Sequence, residues 1–384
     1  MVYQYPGHSV VTAQIGRQAH PDVLANIIAQ DIVAHHIEIK PDSSNDVNVT
    51  LGGRVILLTG QIRPEWLINY EQLRSIVNKA MGEVRYPNEG IYNPLDKTII
   101  FDFDGQSQDI AGSVYHGKGG DTIVKHGLAV KETDELLPLA HVLATRIAKR
   151  LDALYLNPDL IGLSKLRGLG PDGKVNLGIA YENGRPKYAK YVIIAAQQRG
   201  GNPTRFWNYI KNKIILPVLD GWYNPCKTEI TINGSNGVFY HGGPVVDRGV
   251  KGKKDADSTY GDSARQTGGS SYGKDPTKVD FHALVSARHI AKNIVANGLA
   301  GVVEVRLGYK IGGDVPLVLS FDTFGTSEVS SVKLEELVRR NFPLAPREVI
   351  EELNLRQPWI LQTTAREHFF GNPNFPWERV KKLQ

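Results

Sequence analysis

One local order recurs three times along this chain: a helix, two strands joined by a turn, and a second helix. In the first copy, strands at 47–51 and 54–59 flank Gly52-Gly53, where paired glycines are expected to supply the positive φ angles of a tight hairpin. Pro64 suits a first helical position, and Trp66, Leu67, Tyr70, Leu73, Val77 and Met81 then recur at three- and four-residue spacing, which predicts one buried helical face. In the second copy, Val175, Leu177, Ile179 and Tyr181 alternate over 174–182, Asn183-Gly184 turns the chain, and a return strand runs to Ala196. A helix opens at Pro203 with Phe206, Trp207, Ile210, Ile214 and Val218 as its apolar stripe, and Pro217 and Gly221 help to end it. The third copy has strands at 302–312 and 315–324 around Gly313-Asp314, then a helix over 332–342. Apolar-striped helices at 21–36, 135–154 and 276–299 precede the three hairpins.

The strand pairs start at residues 47, 174 and 302, spaced by 127 and 128 residues in a chain of 384. Such a repeat predicts an α+β fold: three similar subdomains related by a pseudo-threefold axis, each covering one face of a mostly antiparallel sheet with helices. The expected boundaries are 1–110, 111–230 and 231–384, with the subdomains interleaved in space. A content of 41% hydrophobic and 22% charged residues excludes a disordered or collagen-like chain. No uninterrupted apolar stretch is long enough to span a bilayer, and residues 2–8 form no signal-peptide core, so no membrane partner is expected. A single cysteine, Cys226, offers neither an intrachain disulfide nor a thiolate zinc site, which points to the cytoplasm. The net charge of +5 favours anionic partners without choosing among them. Phe and Tyr do not interleave with the lysines as a nucleic-acid stacking platform requires, so no nucleic-acid partner is expected.

The densest polar segment is 242–280, where glycine alternates with lysine and aspartate. It reads either as a surface linker or as a loop system that wraps an anion with backbone N–H groups and lysines. Asp247, Lys253, Lys254, Lys274, Lys278 and Asp280 are of mixed sign, as expected where lysines meet phosphate and aspartates hold a divalent cation. Gly268 to Lys274 nearly matches a P-loop, but Asp275 stands where a hydroxyl should reach Mg²⁺, and Pro276 interrupts the required helix. Elsewhere, His20 and Asp22 open a helix and have a ready structural reading as a cap and a dipole-complementing carboxylate. Gly120-Asp121 reads as a turn, and 169–174 as a turn entering a strand. Lys118, Lys125 and His126 read most simply as solvated loop charges.

The fragments AHPD, QSQDI, GGD…ETDELLPLAH, GPDGKV, GVFYHGGPVVDRGVKGKK, GGSSYGKDPTKVD, ARHIAKNIVANGLA, GYKIG and FPWE, in this order, resemble bacterial S-adenosylmethionine synthetases over nearly the whole chain. The resemblance implies the same three-subdomain fold and a methionine adenosyltransferase of one-carbon metabolism. In that reaction the sulfur of L-methionine attacks C5′ of ATP, and the released triphosphate is cleaved to phosphate and diphosphate. It also implies Mg²⁺ as cofactor, two ions, and a homodimer or homotetramer whose sites two subunits complete.

Residue by residue, the resemblance implies that His20 contacts the triphosphate, that Asp22 and Asp280 bind metal, and that Lys174, Lys253, Lys254 and Lys274 hold phosphate oxygens. Asp121 and Asp247 would face the developing sulfonium. Asp172, Phe239 and Ile311 would form the nucleoside pocket, with Lys278 near nucleotide and methionine carboxylate, and Gln61 and Gln106 on the amino-acid side. Several positions depart from the family pattern. Val23 stands for lysine, Lys253 for arginine, Gln61 for the glutamate that receives the methionine ammonium, and Asn48 for a glutamate associated with K⁺. Lys125-His126 stands for Met-Phe. Asn48 predicts weak K⁺ dependence. Gln61 leaves open transfer to another thioether or thiol, and a catalytically idle, nucleotide-binding regulatory homologue is the remaining alternative.

Overall fold

The computed structural model describes residues 7–64, 68–86, 97–105, 118–234 and 237–384. Each expected pair of strands belongs to its own sheet. Strands β2 (Ser44–Leu51) and β3 (Val55–Arg63) pair antiparallel, with β4 (Thr98–Asp104) parallel to β3 and the two-residue β9 (Gly249–Val250) antiparallel to β2. Strands β6 (Leu169–Glu182) and β7 (Arg185–Gln198) form the second hairpin, flanked by β1 (His8–Gly16) and by β8 (Glu229–Ile232). Strands β10 (Val302–Tyr309) and β11 (Val318–Asp322) form the third, with β5 (Ile123–Val130) antiparallel to β10. The first strand of each hairpin thus pairs with a strand from another third of the chain: β9 on β2, β1 on β6, β5 on β10. This exchange ties the three units together through backbone hydrogen bonds as well as through side-chain packing.

A helix covers each hairpin. Helix α1 (Pro21–Ile39) lies against β2, α3 (Leu139–Leu156) against β6 and β1, and α5 (Val279–Ala296) against β5 and β10. Almost every residue of α1 is buried, because α2 (Tyr70–Glu83) and α8 (Pro358–Glu367) pack on its other sides. Three apolar cores result, one beneath each hairpin. Close approach of α5 to β5 depends on Gly127, where a Cβ would sit 2.1 Å from the backbone of Ala287.

Several local expectations require correction. The Asn183-Gly184 turn has both residues at positive φ, as read from the sequence. At Gly52-Gly53 neither glycine is left-handed. Instead the Gly52 N–H donates to the Val55 carbonyl at 2.8 Å, and a Cβ on Gly52 would lie 2.9 Å from that oxygen, so lack of bulk is the reason for glycine there. The third hairpin has no two-residue turn: pairing ends at Gly308–Val318, and a loop follows the last pair. Helix α2 starts at Tyr70 rather than Pro64, because Asn69 and Gln72 form a reciprocal capping box. Leu73, Val77 and Met81 are buried as expected, Tyr70 is exposed, and Trp66 and Leu67 lie outside the described residues. Pro217 does not end its helix. Helix α4 (Pro203–Ile210) passes through a π-turn at Lys211–Ile215 into a last turn at Leu216–Leu219, and the wider turn accommodates the ring and missing N–H of proline. Residues 169–174 lie within β6, at a register irregularity, rather than in a turn before it.

Candidate active site

Two clusters of polar side chains meet at β9. The first forms where the chain leaves β1. Arg17 is fully buried, donates to the carbonyls of Gly170 and Asp172, and pairs with Asp152 at 2.8 Å, which locks the β1–α1 corner onto β6. His20 then caps α1, with its Nδ1 accepting the Asp22 N–H at 3.3 Å. Asp22, in the first helical turn, is almost fully buried, and its Oδ1 accepts the Val250 N–H at 3.0 Å. The Asp172 carboxylate accepts the Gly173 N–H at 2.6 Å and the Gly243 N–H at 2.7 Å. The Phe239 carbonyl accepts from Gln198 at the end of β7, so segment 239–243 runs along the side of Asp172.

His20 is the meeting point of this cluster. Its Nε2 lies 4.0 Å from Asp247, its Nδ1 lies 3.9 Å from the free Asp22 oxygen, and Asp172 and Lys254 are close enough to act on its charge. Burial pulls the imidazole below its ordinary pKa despite the surrounding carboxylates, and Lys254 adds to the fall. A neutral His20 at pH 7 donates a hydrogen bond without adding net charge. Lys253 reaches Asp22 at 3.9 Å, and Lys254 reaches Asp257 at 3.4 Å, a carboxylate itself held by Gln14. Lys174 is exposed on β6 directly across from Gly16, at the same sheet edge. Val23 is buried against Gly16 and belongs to the core.

The second cluster lies on the β2 sheet and segment 268–280. Cross-strand register puts Asp46 on β2, Gln61 on β3 and Asp104 on β4 in one row, and residues directly opposite share a face. Asp46 also bridges Lys274 through the backbone. Lys274 pairs with Asp280 Oδ2 at 2.5 Å and approaches Asp46 at 3.8 Å, and Lys251 reaches Asp46 at 3.7 Å. Burial would lower Lys274, but Asp280 and Asp46, with a smaller contribution from Asp121, lift it above the ordinary lysine value. Asp280 takes a second lysine, Lys125, on Oδ1 at 2.9 Å, and the two ammonium groups hold this carboxyl below its usual range although burial opposes them. Asp121 and Thr122 are exposed, and Thr122 Oγ1 accepts the Ile311 N–H at 3.0 Å, which sets Ile311 beside them. Lys278 caps α5. Gln106 lies outside the described residues.

Strand β9 joins the clusters, since Val250 binds Asp22 on one side while the next residue, Lys251, reaches Asp46 on the other. The structure therefore brings His20, Asp22, Asp172, Asp247, Lys253 and Lys254 together, and separately Asp121, Lys274, Asp280 and Ile311, with Gln61 one strand from Asp46. Segment 242–280 is not a surface linker: Ser258, Thr259, Tyr260, Ser271, Tyr272 and Asp275 in it are buried, and Val250, Gly252 and Gly273 hydrogen-bond to α1. Lys125 and His126 are not solvated: both are buried in β5, and His126 pairs with Glu304 at 3.2 Å. Asp46, Asp104, Lys251 and Asp257 carry no local signature in the sequence, because only strand register and loop closure bring them to the site.

A family model of the central domain of S-adenosylmethionine synthetase matches residues 116–238, and one of the C-terminal domain matches 241–379. The S-adenosylmethionine synthase of Thermus thermophilus is 35% identical to this chain, with 98% of the chain and 97% of the relative covered. Those of Desulforudis audaxviator and Aquifex aeolicus are 33% and 32% identical at 97% and 96% coverage of the chain, and 96% and 95% of their own lengths. This chain belongs to the S-adenosylmethionine synthetase family. The fold expectation agrees: an α+β protein of mostly antiparallel sheets covered by helices.

Of the two carboxylates expected to hold the divalent cation that the family implies, one suits it. Asp22 fits: one oxygen is fixed by Val250, the other is unclaimed by any N–H and turned toward His20, and hard oxygen donors suit Mg²⁺. Among the described residues no group of three or more His, Cys, Asp or Glu is placed to hold a metal ion by itself, so an ion at Asp22 would complete its shell with triphosphate oxygens and water. Asp280 fits poorly, since a lysine faces each of its oxygens.

Proposed function

We propose that this protein is a methionine adenosyltransferase. The observation that carries the reading is the convergence of His20, Asp22, Asp172, Asp247, Lys253 and Lys254 in a chain related over its full length to S-adenosylmethionine synthases. The methionine sulfur forms a bond to C5′ of ATP, the C5′–oxygen bond breaks with its electron pair leaving on triphosphate, and the product is a sulfonium. Neutral sulfur needs no general base, so the site's task is alignment and neutralisation of the departing polyanion. Lys174, Lys253, Lys254 and Lys274 supply positive charge, and neutral His20 a hydrogen-bond donor. Mg²⁺, when bound, adds further neutralisation of the triphosphate. Asp121 and Asp247 face the sulfonium charge, and Asp172, Phe239 and Ile311 receive the nucleoside, with Lys278 beside it. Water then cleaves triphosphate to phosphate and diphosphate.

Gln61 does not leave the amino-acid side without a carboxylate. Asp46 and Asp104 flank it in register; Asp46 already faces Lys251 and Lys274, so Asp104 is the carboxylate that can receive the methionine ammonium in place of a glutamate at 61. This favours methionine over a thioether lacking the amino group, with Gln106 as a further contact. With ATP, L-methionine and Mg²⁺, the purified protein is expected to form S-adenosylmethionine together with phosphate and diphosphate. No product at high enzyme concentration would overturn the reading. Because Asn48 is neutral, replacing K⁺ by Na⁺ is expected to change the rate little, and strong selective activation by K⁺ would contradict that.

The β2 sheet supports assembly as a homodimer or dimer of dimers. Val55, Leu57, Ile100 and Val250 are each between 38% and 49% exposed, and Leu57, Ile100 and Val250 are cross-strand neighbours through Thr50, on the face that carries Gln61. A contiguous apolar face beside the substrate row is suited to a second copy that closes the site. Leu57→Lys is expected to shift the oligomer toward monomer in light scattering and to lower activity in parallel; an unchanged mass would contradict this interface. The subdomain boundaries at residues 110 and 230 and a cytoplasmic location complete the proposal. The exposed, unpaired Cys226 supports the location, and no helix among the described residues is long and apolar enough to cross a membrane.

A further inference from the structure

The environment of Lys125 resembles that of a bound cation. Its Nζ lies 2.9 Å from Asp280 Oδ1, 2.7 Å from the Gly269 carbonyl and 3.4 Å from the Gly268 carbonyl, and its side chain is 6% exposed. A carboxylate and two backbone carbonyls are the hard-oxygen donor set that proteins otherwise present to alkali and alkaline-earth ions. The loop reaches this position only because residue 269 is glycine: its φ is +81°, and a Cβ there would stand 2.3 Å from Asp280 Oδ1. Thr267 hydrogen-bonds the Val124 carbonyl and holds the loop to the strand that carries Lys125. On the other side of the carboxylate, Lys274 takes Oδ2.

We propose that Lys125 is a tethered cation: its ammonium fills the position against Asp280 that an exchangeable metal or alkali ion would otherwise occupy. The inference rests on the proposed adenosyltransferase function for its setting, and it assigns Asp280 to lysine rather than to metal. Two backbone carbonyls accept hydrogen bonds from Lys125 and the Asp280 carboxylate faces it at ion-pair distance, so its ammonium is committed to these oxygens rather than to phosphate. It is a positioning residue. It neutralises a carboxylate that is 2% exposed, and through that carboxylate it fixes Lys274, whose own ammonium is directed at Asp280 and Asp46. Lys274 meets Oδ2, so without Lys125 it is the buried Oδ1 that would face no cation, and a lysine on a strand supplies that charge without a loss of ion-binding entropy and independently of ionic conditions. One fewer exchangeable cation is then required at this half of the site.

The test counts ions rather than turnover. Mn²⁺ binding to the full-length protein is measured by electron paramagnetic resonance in the presence of inorganic tripolyphosphate, for the wild type, Asp280→Asn, Lys125→Met and the double variant. The wild type and Asp280→Asn are expected to bind the same number of Mn²⁺ ions. Lys125→Met is expected to bind one more, or to become at least tenfold more sensitive to K⁺ in tripolyphosphate affinity, and the double variant to lose that gain. Loss of one Mn²⁺ in Asp280→Asn, or a folded Lys125→Met with unaltered cation binding, would overturn the assignment. If Asp280→Asn does not fold, the comparison of Lys125→Met with wild type decides alone, and Lys125→Gln serves if methionine is not tolerated. S-adenosylmethionine formation is scored separately: absent product with these stoichiometries intact would overturn the proposed function and leave Lys125 as assigned.

Discussion

Lys254→Met is expected to lower kcat/KM for ATP by roughly 10²–10³-fold, the range found when one preorganised donor is removed from a site where negative charge develops. Lys254 is mostly buried, reaches Asp257 at 3.4 Å, and contributes to the field on His20. Its ammonium is therefore held in place before the substrate arrives, by a carboxylate that Gln14 in turn fixes from β1. Charge fixed in advance needs no reorganisation as the C5′–oxygen bond breaks, so its removal should act mainly on kcat. Methionine keeps most of the side-chain volume, so the thermal midpoint should change little. Steady-state kinetics with ATP varied at saturating methionine make the measurement. A variant within threefold of wild type would remove Lys254 from the triphosphate site, while a large rise in KM at constant kcat would make it a uniform binder rather than a contributor to the transition state.

Glu378→Ala is expected to have the largest effect on stability, about 3–5 kcal/mol, because it strands two buried cations. Glu378 lies in the C-terminal FPWE segment with its side chain fully buried. It receives Arg288 Nε and Nη2 at 3.0 Å each and Lys292 at 2.7 Å, and it accepts the Gly371 N–H at 3.2 Å. Arg288 in turn donates to the carbonyls of Leu128, Glu135 and Leu136, so one carboxylate ties α5, β5 and the chain terminus together. Burial would raise the Glu378 pKa, but Arg288 and Lys292 hold it below the ordinary value of 4.5. The sign follows from linkage: a carboxyl depressed in the folded state contributes stability that is complete above its unfolded pKa and is lost as pH falls through the folded one. Wild type should therefore lose stability on acidification below about pH 4.5, and Glu378→Ala should lose less over the same window, from a lower starting point. Thermal melts of both proteins across pH 3–7 check this, and equal midpoints at pH 7 would contradict it.

Much of the architecture was legible because local chemistry and tertiary context agree. The alternation at Val175–Leu177–Ile179–Tyr181 and the left-handed Asn183-Gly184 turn are readable from a window of a dozen residues, and the recurrence of that local pattern at residues 47, 174 and 302 makes the repeat legible. Helix starts were less legible, since Pro64 competes with the Asn69–Gln72 capping box and only the latter satisfies two helix N–H donors reciprocally. Pro217 misled for a related reason, because a π-turn four residues earlier removes the conflict that normally stops a helix at proline.

The site divides the same way. His20, Asp22, Asp172, Asp247 and the adjacent Lys253-Lys254 carry motif signatures, and the fold brings them to one point. Lys125 and His126 looked like solvated charges because nothing in the local pattern reveals a buried partner 155 or more residues away. Lys125 finds Asp280 through a glycine loop, and His126 finds Glu304 across a β-ladder. Gln61 looked like a lost charge until the register set Asp46 and Asp104 beside it. These features depend on long-range pairing, which residue order does not disclose.

Methionine adenosyltransferase activity is tested most sharply by mass-spectrometric identification of the adenosylated product when ATP and Mg²⁺ are supplied with an equimolar mixture of thioethers. The mixture should contain L-methionine, its analogue lacking the α-amino group and its analogue lacking the carboxylate. S-adenosylmethionine is expected as the dominant sulfonium, with one phosphate and one diphosphate released for each product formed. Dominance of the analogue without the amino group, or nucleotide binding with no sulfonium at all, would contradict it.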